Sequence, residues 1–336
     1  MTTRAGFAAI IGAPNAGKST LTNRLVGAKV TIVTQKVQTT RFPVRGVAMA
    51  GESQIVLVDT PGIFSPRRRL DRAMVRSAWG GADEADVTVH LVDVQAELAA
   101  DEPGAKSADK RSAADVQMIV EGLKTAGKEG KPADRKAAVD VQSIVEGLKA
   151  SGKKAILALN KIDGMRRDTL LALSQRLFDT GVYSEVFMIS AADGQGVDDL
   201  KARLAELMPE GPWLYPEEQT ADLPARLLAA EITREKLFLR VHEELPYAAA
   251  VETTAFQERK DGSVRIEQSI YVERESQRPI VLGKNGQTLK WIGQKSREEL
   301  IELFDRPVHL FLHVKVDERW ADKREFYGDV GLDFDA

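Results

Sequence analysis

Gly12, Ala13, Pro14, Asn15, Ala16, Gly17, Lys18 and Ser19 fill the spacing G-x-x-x-x-G-K-[ST], with Thr20 next in line. An apolar run, Phe7 to Ile11, precedes them, and a helical pattern through Leu21, Leu25 and Val26 follows. Strand, glycine loop and helix are the context in which backbone N–H groups and a helix N-terminus cradle phosphates. Lys18 is then placed to reach the β and γ phosphates, and the Ser19 hydroxyl to ligate Mg²⁺. Asp59, Thr60, Pro61 and Gly62 close a second apolar run, Gln54 to Val58. A carboxylate at the end of a buried strand faces the crevice where open α/β sheets bind ligands. Asp59 is expected to hold Mg²⁺ through a water, and Gly62 to offer a backbone N–H near the γ phosphate. Thr39 and Thr40 lie upstream in a polar stretch without periodicity, of the kind that a γ phosphate and Mg²⁺ order. Of the pair, Thr40 is the expected ligand.

Asn160, Lys161 and Asp163 follow the strand Ala155 to Leu159, and Ser190-Ala191 follows Val186 to Ile189. Asp163 matches the two donors on the edge of guanine, with Asn160 on another edge and Ser190-Ala191 completing the pocket through backbone groups. Adenine presents the wrong donors there, and unpaired buried polar groups reject a misfit strongly. The nucleotide is therefore expected to be GTP or GDP. Ile63 occupies the position where Ras-type GTPases carry a water-orienting glutamine. Slow intrinsic hydrolysis follows, unless Asn15 holds a monovalent cation, K⁺, beside the phosphates.

These sites need a scaffold. The alternation of apolar strands and helices predicts a P-loop GTPase domain of Ras-like, doubly wound α/β fold with a mainly parallel sheet, over residues 1–212. A segment beginning at Ala108 recurs from Ala133, and Ile119, Val120 and Leu123 match Ile144, Val145 and Leu148. The second copy runs into the strand before Asn160 and is expected to be the fold's own helix. The first, in an insertion over about 95–135, is expected to be an extra surface helix. Residues 213–222 follow a proline- and glycine-rich stretch and are expected to link the domains.

Residues 223–336 predict a second, α+β domain. It has a helix from Pro224 to about Glu244 and strands near Ala250–Gln257, Val264–Val272 and Val308–Val316. Between the last two lie a short helix, the loop Gly283, Lys284, Asn285 and Gly286, and a longer helix from Gln287 to Phe304. Helix, G-x-x-G, helix is how a KH fold clamps nucleic-acid backbone, with Lys290, Lys295 and Arg297 extending positive charge. The net charge of −3 means that such affinity must be local. Arg67-Arg68-Arg69, in the segment after Gly62, is expected to be a solvated loop, the alternative being direct contact with RNA phosphates. There is no cysteine, and no apolar run long enough to span a bilayer. Met1 leads straight into an apolar strand with no signal-peptide pattern, so the cytoplasm is the expected location.

Gln38-Thr-Thr-Arg41, Asp59 to Gly62, Arg234-Glu-Lys236, Glu243 to Tyr247, Gly283 to Gly286 and Val314 to Trp320 together resemble the Era family, bacterial GTPases with a C-terminal KH domain. The resemblance implies a type II KH domain and a role in maturing the small (30S) ribosomal subunit, with the KH domain on the 3′ end of 16S rRNA. It also implies a monomer that associates peripherally with the inner face of the cell membrane. The duplicated segment departs from the family pattern, as does Asn285, where glycine is usual. Two other classes of function stay open: an RNA-binding module that holds GTP structurally, and a tRNA-modification GTPase.

Overall fold

Successive residues of a strand face opposite sides of a sheet, and the first strand shows what that does here. In β1 (Arg4–Ile11), Ala8 and Ile10 enter one apolar cluster, and Ala9 and Ile11 enter another on the opposite face. Both faces must then be covered by helices. In the computed structural model, which describes residues 2–34, 36, 39–101, 132–241 and 245–336, they are.

The chain continues through α1 (Lys18–Val26), β2 (Val44–Ala50), β3 (Ser53–Asp59), α2 (Arg69–Glu84), β4 (Val87–Asp93) and α3 (Val94–Asp101). After residues 102–131 come α4 (Pro132–Ser151), β5 (Ala155–Asn160), α5 (Arg167–Phe178), β6 (Tyr183–Ile189) and α6 (Val197–Leu207). The sheet order is β6-β5-β4-β1-β3-β2-β7, where β7 is Ala221–Asp222. The β1–β3, β1–β4, β4–β5 and β5–β6 pairs are parallel. Strand β2 returns antiparallel to β3. Strand order reverses around β1, which is where such sheets open a crevice at their carboxyl ends.

The expected linker is partly sheet. Ala221–Asp222 pair antiparallel with β2, and the N–H groups of Leu214 and Tyr215 donate to Gln54 Oε1 at 2.8 and 2.9 Å. The second repeat copy is helix α4, with Ile144, Val145 and Leu148 buried against β5 and its neighbours. The first copy lies outside the described residues.

Beyond β7 the order is α7 (Ala225–Arg240), β8 (Ala249–Glu258), β9 (Val264–Val272), α8 (Arg278–Leu282), α9 (Gln287–Phe304) and β10 (Val308–Val316). These form a three-stranded sheet, β10-β9-β8, with β10 parallel and β8 antiparallel to β9. The α–β–β–α–α–β sequence with that pairing is the expected type II KH topology. A short helix, α10 (Arg324–Asp329), ends the described secondary structure.

Ile144 is fully buried in α4, whereas Val139 on the same helix is 65% exposed. Ile144→Ala is expected to cost about 2–5 kcal/mol through the cavity it leaves. Val139→Ala is expected to stay within about 0.5 kcal/mol of wild type, as surface changes do. Chemical denaturation of both variants checks whether this copy belongs to the core; equal effects would place it outside.

Candidate functional site: a nucleotide crevice and a KH loop

Loop residues 12–17 join β1 to α1, and the turn is tight. Gly17 has φ 99°, and a Cβ there would stand 2.4 Å from Asn160 Nδ2. Only glycine fits both the left-handed backbone and the approach. Lys18, the first residue of α1, is buried and donates from Nζ to the carbonyls of Gly12 (3.1 Å) and Ala13 (2.9 Å). Burial lowers its pKa to about 8, against the pull of Asp59, which raises it. A cation so poorly solvated is poised for an anion.

Asp59 ends β3 with no exposure at all. Its Oδ2 accepts from Ser19 Oγ (2.8 Å), Thr31 Oγ1 (2.9 Å) and Thr40 Oγ1 (3.2 Å), and the Ser19 and Thr40 hydroxyls are 2.8 Å apart. Its Oδ1 is buried and finds no partner among the described residues. Burial pushes the carboxyl pKa up, opposed by Lys18 and the three hydroxyls. A carboxylate and two hydroxyls are hard oxygen donors, and an orphaned carboxylate oxygen among them fits Mg²⁺. Ser19, Thr40 and Asp59 are brought together as expected. Thr39 instead turns away, donating to the Lys36 carbonyl at 2.7 Å. Thr31 was not foreseen: its neighbours alternate as in a strand, and no motif marks it.

On the base side, Asn160 Nδ2 donates to the Ala16 carbonyl at 2.7 Å, and its Oδ1 accepts from the Ala191 N–H at 2.9 Å. Asn160 therefore straps the phosphate loop to the Ser190-Ala191 loop. One hydrogen and one lone pair of the amide are left for a base, so the strap leaves room for the expected contact with guanine. Asp163, three residues past the end of β5, is exposed. Lys161, at φ 64°, pairs with Asp93 at 2.5 Å. Ser190 Oγ and Asp193 Oδ2 are 3.2 Å apart, which shapes the turn. Thr60 Oγ1 donates to the Ile10 carbonyl at 2.7 Å, a structural tie. Pro61 is buried, and Gly62 packs on Pro14, which a Cβ would approach to 2.9 Å. Ile63 is a core residue whose N–H donates to the Gly12 carbonyl at 3.1 Å. Asn15 is exposed, at φ 64°. Thr20 is half-buried in the first turn of α1.

Val33, Lys36, Thr39 and Arg41 are each gripped from the KH side. Glu235 Oε1 on α7 accepts from the Val33 N–H at 3.0 Å, and the Arg234 guanidinium donates to the Thr39 carbonyl. Lys36 Nζ donates to the Phe238 and Val241 carbonyls. Arg41 donates to the Ala249 carbonyl at 2.8 Å, and its guanidinium lies over the rings of Phe238 and Trp320. Lys29 bridges Glu235 at 2.8 Å and Glu299 on α9 at 2.5 Å, while Lys236 joins the same two carboxylates.

In the KH loop, Gly283 has φ 73° and its absent Cβ would fall 2.8 Å from the Thr288 backbone nitrogen, so glycine is obligatory there. Around Gly286 the space is open. Lys284 and Asn285 are exposed. On α9, Lys290 and Arg297 are seven residues apart and share a face. Lys295 lies about 140° around the helix from Lys290 and pairs with Glu298 at 2.7 Å. The structure therefore separates Lys295 from the other two.

Known proteins match this arrangement. The family model for 50S ribosome-binding GTPases matches residues 7–122, and that for the KH domain matches residues 244–321. The chain is 71% identical to GTPase Era of Caulobacter vibrioides over 334 residues, which covers 99% of this chain and 98% of that protein. It is 60% identical to GTPase Era of Maricaulis maris over 333 residues, again 99% and 98%. Among solved structures, Era in complex with MgGDPNP and nucleotides 1506–1542 of 16S ribosomal RNA superposes with a TM-score of 0.79. That match has 34% identity and covers 98% of this chain and 99% of the other. An Aquifex aeolicus Era variant bound to GDP and AlF4⁻ gives 0.78 at 34% identity over the same shares.

Lys18 has a folded pKa of about 8 against an ordinary value of 10.5. Between those values the unfolded chain holds a proton that the folded protein has released, so stability rises with pH across that window. A bound phosphate raises the Lys18 pKa again. Addition of GDP is therefore expected to take up close to one proton at pH 9 and almost none at pH 7. Calorimetry in buffers of different ionisation enthalpy measures this directly, and equal uptake at both pH values would contradict the poised lysine.

Proposed function

The chain belongs to the Era family of GTPases, and on that footing we propose that it is a GTP-hydrolysing, RNA-binding switch. In this reading it serves assembly of the small ribosomal subunit, with its KH domain on the 3′ end of 16S rRNA. The observation that carries it is the convergence of Ser19, Thr31 and Thr40 on Asp59, with the same segment gripped by α7. The proposed division is a G domain over 1–212, a linker over 213–222 and a KH domain over 223–336.

The residues act in defined roles. Lys18 leaves its loop carbonyls for the β and γ phosphates, and the loop backbone from Gly12 to Gly17 encloses them. Ser19, Thr40 and Asp59 would hold Mg²⁺, the two hydroxyls and the carboxylate supplying hard oxygen donors. When bound, Mg²⁺ supplies positive charge to the β and γ oxygens as negative charge develops there. Asp163 fixes guanine, and Asn160 keeps the base loop and phosphate loop in register. Ile63, buried and apolar, orients no water, so turnover without a partner is slow. Asn15 is the proposed holder of K⁺ beside the phosphates.

Gly283, Lys284, Asn285 and Gly286 take the RNA backbone, with Lys290 and Arg297 beyond them. The protein works in the cytoplasm as a monomer, meeting the inner face of the membrane peripherally. Among the described residues, no helix is long and apolar enough to cross a bilayer.

Because a Cβ at Gly283 meets backbone, Lys284→Glu with Gly286→Asp is the cleaner test of the clamp. That pair is expected to weaken binding of 16S rRNA 3′-end RNA by tenfold or more, each lost charge-assisted contact being worth about 1.5–3 kcal/mol, with GTP turnover unchanged. Unaltered affinity would remove the KH loop from the proposal. Turnover in KCl is expected to exceed that in NaCl at equal ionic strength; equal rates would dismiss Asn15 as a cation holder. No turnover in either salt would favour the structural-GTP reading.

A further inference from the structure

Arg69, Arg72 and Arg76 follow one another at helical spacing along α2, the helix that begins directly after the phosphate-sensing segment. All three side chains are exposed. None faces open solvent alone, because the chain's own last residues lie across them. Leu332 is buried in a cluster with Leu70, Ala73 and Met74, and Tyr327 of α10 is fully buried in the same cluster. Anchored there, the segment 332–336 lays its polar groups along the arginines. Arg76 pairs with Asp333 at 3.0 Å, and Arg72 Nε donates to the Ala336 oxygen at 3.4 Å. Two guanidinium groups lie over the Phe334 ring, Arg69 at 4.3 Å and Arg324 at 5.0 Å from its centroid. Arg324 also pairs with both oxygens of Asp335, at 3.2 and 3.0 Å.

We propose that the Arg69–Arg72–Arg76 face of α2 is a second RNA-binding surface, capped in this conformation by the acidic segment 332–336. An aromatic ring in contact with two guanidinium groups and flanked by anionic oxygens is the chemistry a nucleotide presents: a π face and phosphates. The pairs that hold the cap are weak individually. Arg76 and Asp333 are 63% and 54% exposed, Arg324 and Asp335 are 72% and 67% exposed, and pairs so solvated contribute little. A phosphodiester backbone carries a charge at every step and releases counterions on binding, so it competes well for the same arginines. The proposal rests on the RNA-binding reading above and adds a site on the G domain, away from the KH loop. Displacing the cap would expose α2 and free the helix that follows Gly62.

The test uses the full chain and two labelled RNAs: nucleotides 1506–1542 of 16S rRNA, and a short single-stranded piece of its 3′ end that fills only the KH groove. Asp333→Asn with Asp335→Asn is expected to tighten binding of the longer RNA by about three- to tenfold and steepen its log–log salt dependence by about one to two. The short piece should bind as before. Adding Arg72→Glu and Arg76→Glu should abolish that gain. All four positions are exposed, and a melting temperature for each variant confirms that the fold holds. No gain in the asparagine variant, or a gain that survives the glutamates, overturns the proposal. A Lys284→Glu, Gly286→Asp arm keeps the two claims apart. If it leaves RNA binding whole, the KH clamp fails, whatever happens at α2.

Discussion

A fully buried carboxylate at the end of a parallel strand is the constraint around which this molecule is arranged. Asp59 is shut off from bulk solvent, so its charge must be met by the groups around it. One oxygen gathers hydroxyls from Ser19, Thr31 and Thr40, and the other is left unsatisfied. Lys18, buried beside it, is held by two loop carbonyls. Carboxylate and ammonium are thus each under-solvated, an arrangement that favours a ligand bringing both a cation and phosphates.

That local need reaches the second domain through a short length of chain. Thr31 and Thr40 both touch Asp59, and Val33, Lys36 and Thr39 between them are held by α7 and the residue that ends it. Glu235 takes the Val33 N–H, and Arg234 takes the Thr39 carbonyl, one residue from the Thr40 hydroxyl. Any ligand that moves Thr40 therefore moves the partner of Arg234. The charge cluster of Lys29, Lys236, Glu235 and Glu299 carries the same connection onto α9, the helix that begins at the KH loop. Coupling here has a physical route: hydroxyl, peptide, guanidinium, helix.

Much of this was legible in the residues. The strands Val264–Val272 and Val308–Val316 and the helix Gln287–Phe304 match their sequence patterns end to end, because each has one face on a core and sharp breakers at its ends. The phosphate loop and Asp59 were legible because few residue types can do their work. What escaped shares a different property: its meaning lies in long-range contacts. Thr31 looks like any polar residue in an alternating stretch until Asp59 is placed beside it. Ala221–Asp222 carry no strand signal and pair only because the β2 edge is there. Asn160 follows a base-reading motif, and that its amide also straps two loops together shows only once they are placed side by side. The arginines after Gly62 suggested a solvated loop, and nothing local announces that Phe334 will lie against one of them.

The most direct test of a switch is the coupling between its two ligands. RNA affinity should be measured with GDP and with a non-hydrolysable GTP analogue, in wild type and in Arg234→Gln. Wild type is expected to show at least about a fivefold difference between the two nucleotide states, the lower end of ordinary allosteric coupling. In Arg234→Gln the ratio should fall towards one, with nucleotide affinity itself little changed. A wild-type ratio of one would contradict the account, leaving two domains that bind their ligands independently.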